Sequence, residues 1–296
     1  YVLPAHHQAT QMVVRTDLAK ELGLGDPDKW SWDDMRNAAK AITEKNPQVA
    51  GLGITLSNAN DAEMQMRMLV WSFGGAMFSE DGKTATWNTP ETVAAYQYIA
   101  DMFAEGLIPK TVLTWDDAGN NTAYQTGRAA FIMNPASVYS WMKENDPELL
   151  ASSAMIEIPK GPGDKGRSAS ILSSFMWLVN KSGARKDDSK AWLDYFFQTE
   201  NYEKLIEVTG GRWVPVYPEM TKTLPLFADT PAFAPFDAMA KNGIVDGYKA
   251  APSVASAAVY QSKVVSQSFQ KMLVDGMSAA DAVAWAQTQI ENTLKK

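Results

Sequence analysis

Ala123-Tyr124-Gln125-Thr126-Gly127-Arg128-Ala129-Ala130-Phe131-Ile132-Met133-Asn134-Pro135 is the stretch that decides the fold class. Asp117 to Thr126 has helical character and is ended by Gly127, the residue type that most easily takes the left-handed conformation past a helix. Five apolar residues follow without alternation, so Ala129 to Met133 is expected to form a strand buried on both faces. Pro135 then opens a further helix that carries Val138, Trp141 and Met142. Helix, buried strand and helix in direct succession describe an α/β chain.

Upstream, Tyr1-Val2-Leu3-Pro4 is a short apolar run stopped by proline and reads as a strand end. Thr16 is placed to cap a helix that ends at Gly23, and Gly25-Asp26-Pro27-Asp28 marks a turn. Ser31 with Asp34 makes a capping box ahead of Met35, Ala38, Ala39 and Ile42 at helical spacing. Another helix is expected from near Asp61 to Gly74-Gly75, and a third has Thr89 as its cap, Pro90 in its first turn and Gly106 past its end. Downstream, Ala154 to Ile158 and Ser170 to Val179 are strand candidates around the turn Lys160-Gly161-Pro162-Gly163-Asp164. Helices are expected near Ala191 to Gln198 and Asn201 to Val208, before Thr209-Gly210-Gly211. Three prolines between Leu224 and Pro235 mark a connection. A final helix starts at a second capping box, Ser278 with Asp281, and places Val283, Ala286, Ile290 and Leu294 on one face.

The 296 residues argue for about two globular units. At 46% hydrophobic and 21% charged, the chain can bury a sizeable core and is unlike a disordered or collagenous sequence. The net charge of −7, without a dense basic run, argues against nucleic acid as a partner. With no cysteine, thiol nucleophiles and cysteine-ligated metals are excluded. The two histidines, His6 and His7, sit in no metalloprotease or triad pattern. No apolar run approaches the roughly 18 residues of a membrane helix.

Ten tryptophans, ten tyrosines and eleven phenylalanines make aromatic side chains the most informative group. Trp71 precedes Ser72-Phe73-Gly74-Gly75, Trp115 precedes Asp116-Asp117, and Arg212-Trp213 lies between a glycine pair and Pro215. Rings at element ends beside polar residues suit sugars, whose ring faces carry C–H groups for stacking while their hydroxyls need fixed hydrogen-bond partners. The same residues are also of the kind that fills a core. Met64, Met66 and Met68 read as core filler. Asp116-Asp117, with Glu157 elsewhere, could be imagined as a glycosidase pair, but adjacent carboxylates at a helix start are better explained by the helix dipole.

The ordered set of motifs resembles extracellular solute-binding proteins of the maltose-binding type, which feed ABC sugar importers. It comprises Tyr1-Val2-Leu3-Pro4, Arg15-Thr16-Asp17-Leu18 with Glu21-Leu22-Gly23-Leu24, Trp32-Asp33-Asp34, Trp71 to Gly75, Ala123 to Phe131, Asn134-Pro135, Ile158 to Gly163, and Thr209-Gly210 before Pro215. The resemblance implies a periplasmic-binding-protein-like, type II, two-lobe α/β fold with most of the N-terminal lobe absent from this chain. Residues 1–8 would cross the hinge, 9–169 and 231–296 would form the second lobe, and 170–230 would belong to the first. That last stretch would then be the less stable part, with apolar surface exposed.

The resemblance also implies a ligand cleft between the lobes. It places His6 after the first crossing, Trp71 before the Gly-Gly turn, and Trp115 with Asp116 in the loop ahead of the Gly-Arg-Ala-Ala strand. Asn134 matches the asparagine of an Asn-Gly-Pro-Trp motif that here reads Asn134-Pro135-Ala136-Ser137. A stacking tryptophan is thereby replaced by Ser137, for which Tyr139 or Trp141 could compensate. Phe175 stands where members often carry tryptophan after two glycines, here Ser173-Ser174, and Arg212-Trp213 would face the cleft from the first lobe. The implied function is non-catalytic binding of a mono- or oligosaccharide or a polyol and its delivery to ABC permease subunits. It involves no cofactor and no metal, by a monomer that is periplasmic or extracellular and lipid-anchored. The rivals are a polyamine or other cationic solute, held by Trp115-Asp116-Asp117, and a glycosidase.

Overall fold

The structure, a computed structural model, describes residues 2–235, 239 and 243–295. β2 (Gln11–Arg15) is the strand around which the main sheet is built. It pairs antiparallel with β4 (Ala129–Asn134) and β5 (Ser153–Ile156), and β3 (Ala50–Gly53) joins parallel to β4, giving the order β3-β4-β2-β5. One register row holds Ile132, Val13 and Met155, and the next holds Met133, Met12 and Ile156. Because side chains alternate across a strand, these rows face opposite sides and found two cores. Every residue of β4 is buried, as the uninterrupted apolar run predicts.

The larger core is packed by α2 (Trp32–Lys45), α3 (Asn60–Ser72) and α4 (Pro90–Ala104), together with two helices from the end of the chain. α2 carries the complete Ser31–Asp34 capping box and buries Met35, Ala38, Ala39 and Ile42. Thr89 caps α4 by accepting from the Thr92 N–H. α1 (Thr16–Glu21) corrects the expected start: Thr16 is already helical, and Arg15 occupies the cap position without a side-chain cap bond. Its side chain instead donates to Asp17 at 2.9 Å, holding a carboxylate in the first turn where the helix dipole favours it. Met66 and Met68 on α3 are fully buried in the larger core and Met64 packs against it, in keeping with core filler. α3 also buries Glu63 and Arg67, paired at 2.7 Å, and the Arg67 guanidinium reaches Asp246 as well.

The smaller core sits on the other sheet face. It is closed by α5 (Gly119–Gln125), α6 (Ser137–Asn145), α7 (Pro147–Ala151) and the α8 (Lys186–Phe196) and α9 (Thr199–Val208) pair. The proline-marked connection is a string of short helical turns, at Met220–Thr223, Pro225–Ala228 and Pro231–Phe233, with Leu224, Phe227 and Phe233 inserted into this core. The chain then returns through α10 (Val254–Gln261), α11 (Val264–Leu273) and α12 (Ala279–Leu294) to the larger core. At α12 the expected box is half formed: Ser278 accepts from the Asp281 N–H, but its own hydroxyl donates to the Asp281 carboxylate at 2.6 Å. No helix among the described residues is long and apolar enough to cross a membrane.

A separate antiparallel ribbon pairs β1 (Val2–Ala9) with β6 (Leu172–Leu178). Pro4 lacks an N–H, and the register slips between it and His6. The sheet-proximal end is buried at Ala9, whereas Val2, Leu3, Met176, Trp177 and Leu178 at the far end are exposed, Leu178 by 72%.

Candidate ligand-binding site

Strand pairing brings His6 of β1 opposite Phe175 of β6, and a third segment adds Trp213. The rings form one stack. His6 lies 4.5 Å from Phe175 at 13° and 3.8 Å from Trp213 at 8°, so the imidazole is held between the two. Trp213 is fixed from the neighbouring residue: Val214 and His7 exchange both backbone hydrogen bonds, at 2.8 and 2.9 Å. The turn before it needs glycine, because Gly210 and Gly211 have φ of +60° and +90° and a Cβ on Gly211 would lie 2.2 Å from the Phe233 ring. Tyr202 locks the arrangement from below, donating to the Ala5 carbonyl at 2.7 Å and accepting from the Val216 N–H at 3.0 Å.

Burial lowers the pKa of His6 to about 4, helped by His7 and Arg212, so the sandwiched ring is neutral at pH 7. Its Nε2 is buried and has no partner among the described residues. His7 is also lowered by burial, and its Nδ1 lies 2.9 Å from the Ser174 hydroxyl. Read from sequence, His6, Phe175 and Trp213 are separate contacts. In the structure both faces of His6 are covered by the other two, and the free ring surface belongs to Phe175, 44% exposed, and to the half-buried Trp213, with Arg212 exposed beside it.

Where the main sheet ends, a polar shelf begins. At the carboxyl end of β4, the Asn134 amide donates to Asn121, and Ser137 donates to Asn134 at 2.8 Å. Ser137 therefore supplies a hydrogen bond where the resembling motif has a ring. Asn120 and Gln65 both donate to the Met133 carbonyl, at 2.8 and 3.2 Å, and Gln65 accepts from the Thr55 N–H at 3.0 Å. The Gln11 amide, opposite Asn134 in the register, and the Thr55 hydroxyl are buried with no hydrogen-bond partner among the described residues. Asp117 accepts from the Asp61 N–H at 2.9 Å and from Asn60 at 3.2 Å, capping α3 from a distant loop. Burial and the Asp117 charge push Asp61 up to about 7. Carboxyl ends of strands, with helix starts converging on them, are where open α/β sheets hold ligands.

Other expected site residues lie elsewhere. Trp71 lies in the last turn of α3, fully buried and edge-on to Tyr248 at 6.1 Å, with its indole Nε1 unpartnered among the described residues. Trp115 and Asp116 line a cavity of about 780 Å³ on the flank of the sheet that contains none of the stacked rings. There the Trp115 ring lies over Gly119, and the Asp116 carboxylate accepts from the Ala118 N–H at 3.0 Å. Tyr139 is buried against Phe233 at 4.7 Å, and Trp141 packs on the smaller core. Gln11, Thr55, Asp61, Gln65 and the Asn120-Asn121 pair were not identified from sequence. The signal available for two of them was the spacing of Asp61 and Gln65, one helical turn apart and so on the same helix face. Among the described residues, no group of three His, Asp or Glu side chains is placed to hold a metal ion.

Residues 1–203 match the sequence profile of bacterial extracellular solute-binding proteins. The lipoprotein LipO of Bacillus subtilis is 24% identical over 214 residues, or 68% of this chain, and the chain spans 42% of its length. Among solved structures, an ABC-transporter solute-binding protein from Thermotoga lettingae bound with α-D-tagatose superposes with a TM-score of 0.85 at 16% identity, over 99% of this chain and 72% of its own. A sugar-transporter protein from Arthrobacter chlorophenolicus with bound laminaribiose gives 0.82 at 18%, over 100% and 72%. These superpositions show a periplasmic-binding-protein-like fold, as the motif order implies. With a profile match across more than half of its residues, the chain belongs to the bacterial extracellular solute-binding proteins.

Proposed function

We propose that this protein is the carbohydrate-binding component of an ABC importer, a non-catalytic receptor that takes a mono- or oligosaccharide or a polyol and passes it to membrane permease subunits. The observation that carries the reading is the Phe175–His6–Trp213 stack. A sugar face packs on its free aromatic surface while the asparagine shelf at Asn134 and Asn121 bonds its hydroxyls. Similar proteins hold tagatose and laminaribiose, which supports a sugar over other solutes. Residues 9–169 and 231–296 act as one lobe, 170–230 belong to the other, and residues 1–8 are the hinge crossing about which they close. The protein works as a monomer without a cofactor, in the periplasm or lipid-anchored outside the cell, and the likeness to a lipoprotein supports the second setting.

Calorimetric titration of the full-length protein against a panel of sugars and polyols tests the reading. Saturable binding of a panel member, weakened at least tenfold by Trp213→Ala, is expected. Silence across the panel, with binding of another solute class, overturns it. A cationic solute is the second reading, favoured by Asp61 and Asp117, which have no basic partner among the described residues. Binding that weakens steeply with salt would select it.

A further inference from the structure

The cavity that holds Trp115 lies away from the stack and the asparagine shelf. Ala50 at the start of β3 and Arg128 just before β4 line it, so it runs to the amino ends of the parallel strands, opposite the shelf. Its volume of about 780 Å³ is in the range of small-ligand sites, which span roughly 300–1,000 Å³. Trp115 forms part of the wall, set in place because Gly119 beneath it has no side chain: a Cβ there would come within 2.4 Å of the ring system's own Cβ. The half-buried ring packs against both cores, so its position is fixed before any ligand arrives.

The polar lining is unbalanced. Lys110 and Arg128 are exposed and form no ion pair among the described residues, and the Thr122 hydroxyl has no partner among them either. The one carboxylate in the wall, Asp116, accepts from the Ala118 N–H through one oxygen. In a chain with a net charge of −7, two cations therefore outnumber the single carboxylate of this concave site. A guanidinium and an ammonium recognise carboxylate oxygens, the indole face takes the C–H side of a pyranose, and threonine hydroxyls bond its ring substituents.

We propose that this flank cavity is a second saccharide site, selective for an acidic sugar of the hexuronate kind. The indole of Trp115 stacks on the pyranose, and Lys110 and Arg128 hold the carboxylate. The site is independent of the stacked rings, so it stands or falls apart from the reading above.

The test is a titration of the isotopically labelled full chain with digalacturonate, with neutral galactobiose and with sulfate, following tryptophan indole N–H resonances; Trp115→Phe assigns the Trp115 signal. Digalacturonate is expected to move that signal saturably, and a Lys110→Gln/Arg128→Gln double variant to weaken the response at least tenfold. Both substituted side chains are exposed, so the fold survives the change. Trp213→Ala should leave the response intact. The proposal is overturned if the Trp115 signal stays still, if galactobiose moves it equally, if sulfate reproduces the whole response, or if the double variant responds as the parent does.

Discussion

His6 ties the ribbon to Trp213, and its neutral state makes the joint sensitive to acid. In the unfolded chain a histidine titrates near 6.5, whereas in the fold it is held at about 4. The unfolded state therefore binds the proton more readily, and stability that is complete above pH 6.5 is lost as the pH falls toward 4. At pH 5 the unfolded histidine is almost fully protonated and the folded one barely so, which gives a loss of about 2 kcal/mol relative to pH 7. His6→Phe keeps a flat ring between Phe175 and Trp213 but removes the titration. Urea unfolding followed by tryptophan fluorescence at pH 7 and pH 5 gives the stability of each protein at each pH. Any packing cost of the larger ring is the same at both values and cancels, as do all other titrating groups. The parent should lose about 2 kcal/mol more than the variant between pH 7 and pH 5. If both lose the same amount, the imidazole is not kept neutral by its sandwich and the account of the joint is wrong.

Tyr202→Phe should destabilise the chain by about 2–4 kcal/mol in urea unfolding, since the Ala5 carbonyl and the Val216 N–H lose a buried partner together. Glu63→Ala strands the buried Arg67 charge with Asp246 alone and exposes the Ser266 N–H to an empty site, for an expected loss of about 3–5 kcal/mol. Replacing Glu63 and Arg67 together with Met and Leu should recover only part of that in the same assay, because Asp246 and the Ser266 N–H still lack their partners. For Asp61, raised to about 7, the folded state holds the proton more tightly, so stability falls as the pH climbs from about 4 to about 7. Asp61→Asn should accordingly raise stability at pH 8, by about 1–2 kcal/mol after allowing for its partial exposure, and change little at pH 4.

What could be read from the sequence was what short-range chemistry controls. The caps of α2 and α4, the glycine after α5 and the buried run of β4 each depend on residues within a few positions, and each formed where expected. Trp71 falls inside the helix expected from Asp61 to Gly74-Gly75, but its burial could not be read, because α3 is buried on nearly every side and has no polar stripe to mark its register. His6, Phe175 and Trp213 could each be named, but their stacking could not, since it arises from strand register between segments far apart in the chain. The cap of α3 was hidden for the same reason: Ala59 stands at its N-cap without a side-chain bond, and the carboxylate that serves it comes from Asp117.

The ribbon also sets a timetable for biosynthesis. Val2 pairs with Leu178, so at roughly 5–20 residues per second β6 leaves the ribosome on the order of 10–35 s after β1. Throughout that interval β1 has neither its ladder partner nor Val214, which is made later still, while β2 next to it waits a shorter time for β4 and β5. Strands β2, β4 and β5 can therefore pair before β1 meets its partners in the ribbon. A nascent chain halted before β6 should expose Val2 and Leu3 to chaperones and to protease, and one extended past Val214 should protect them.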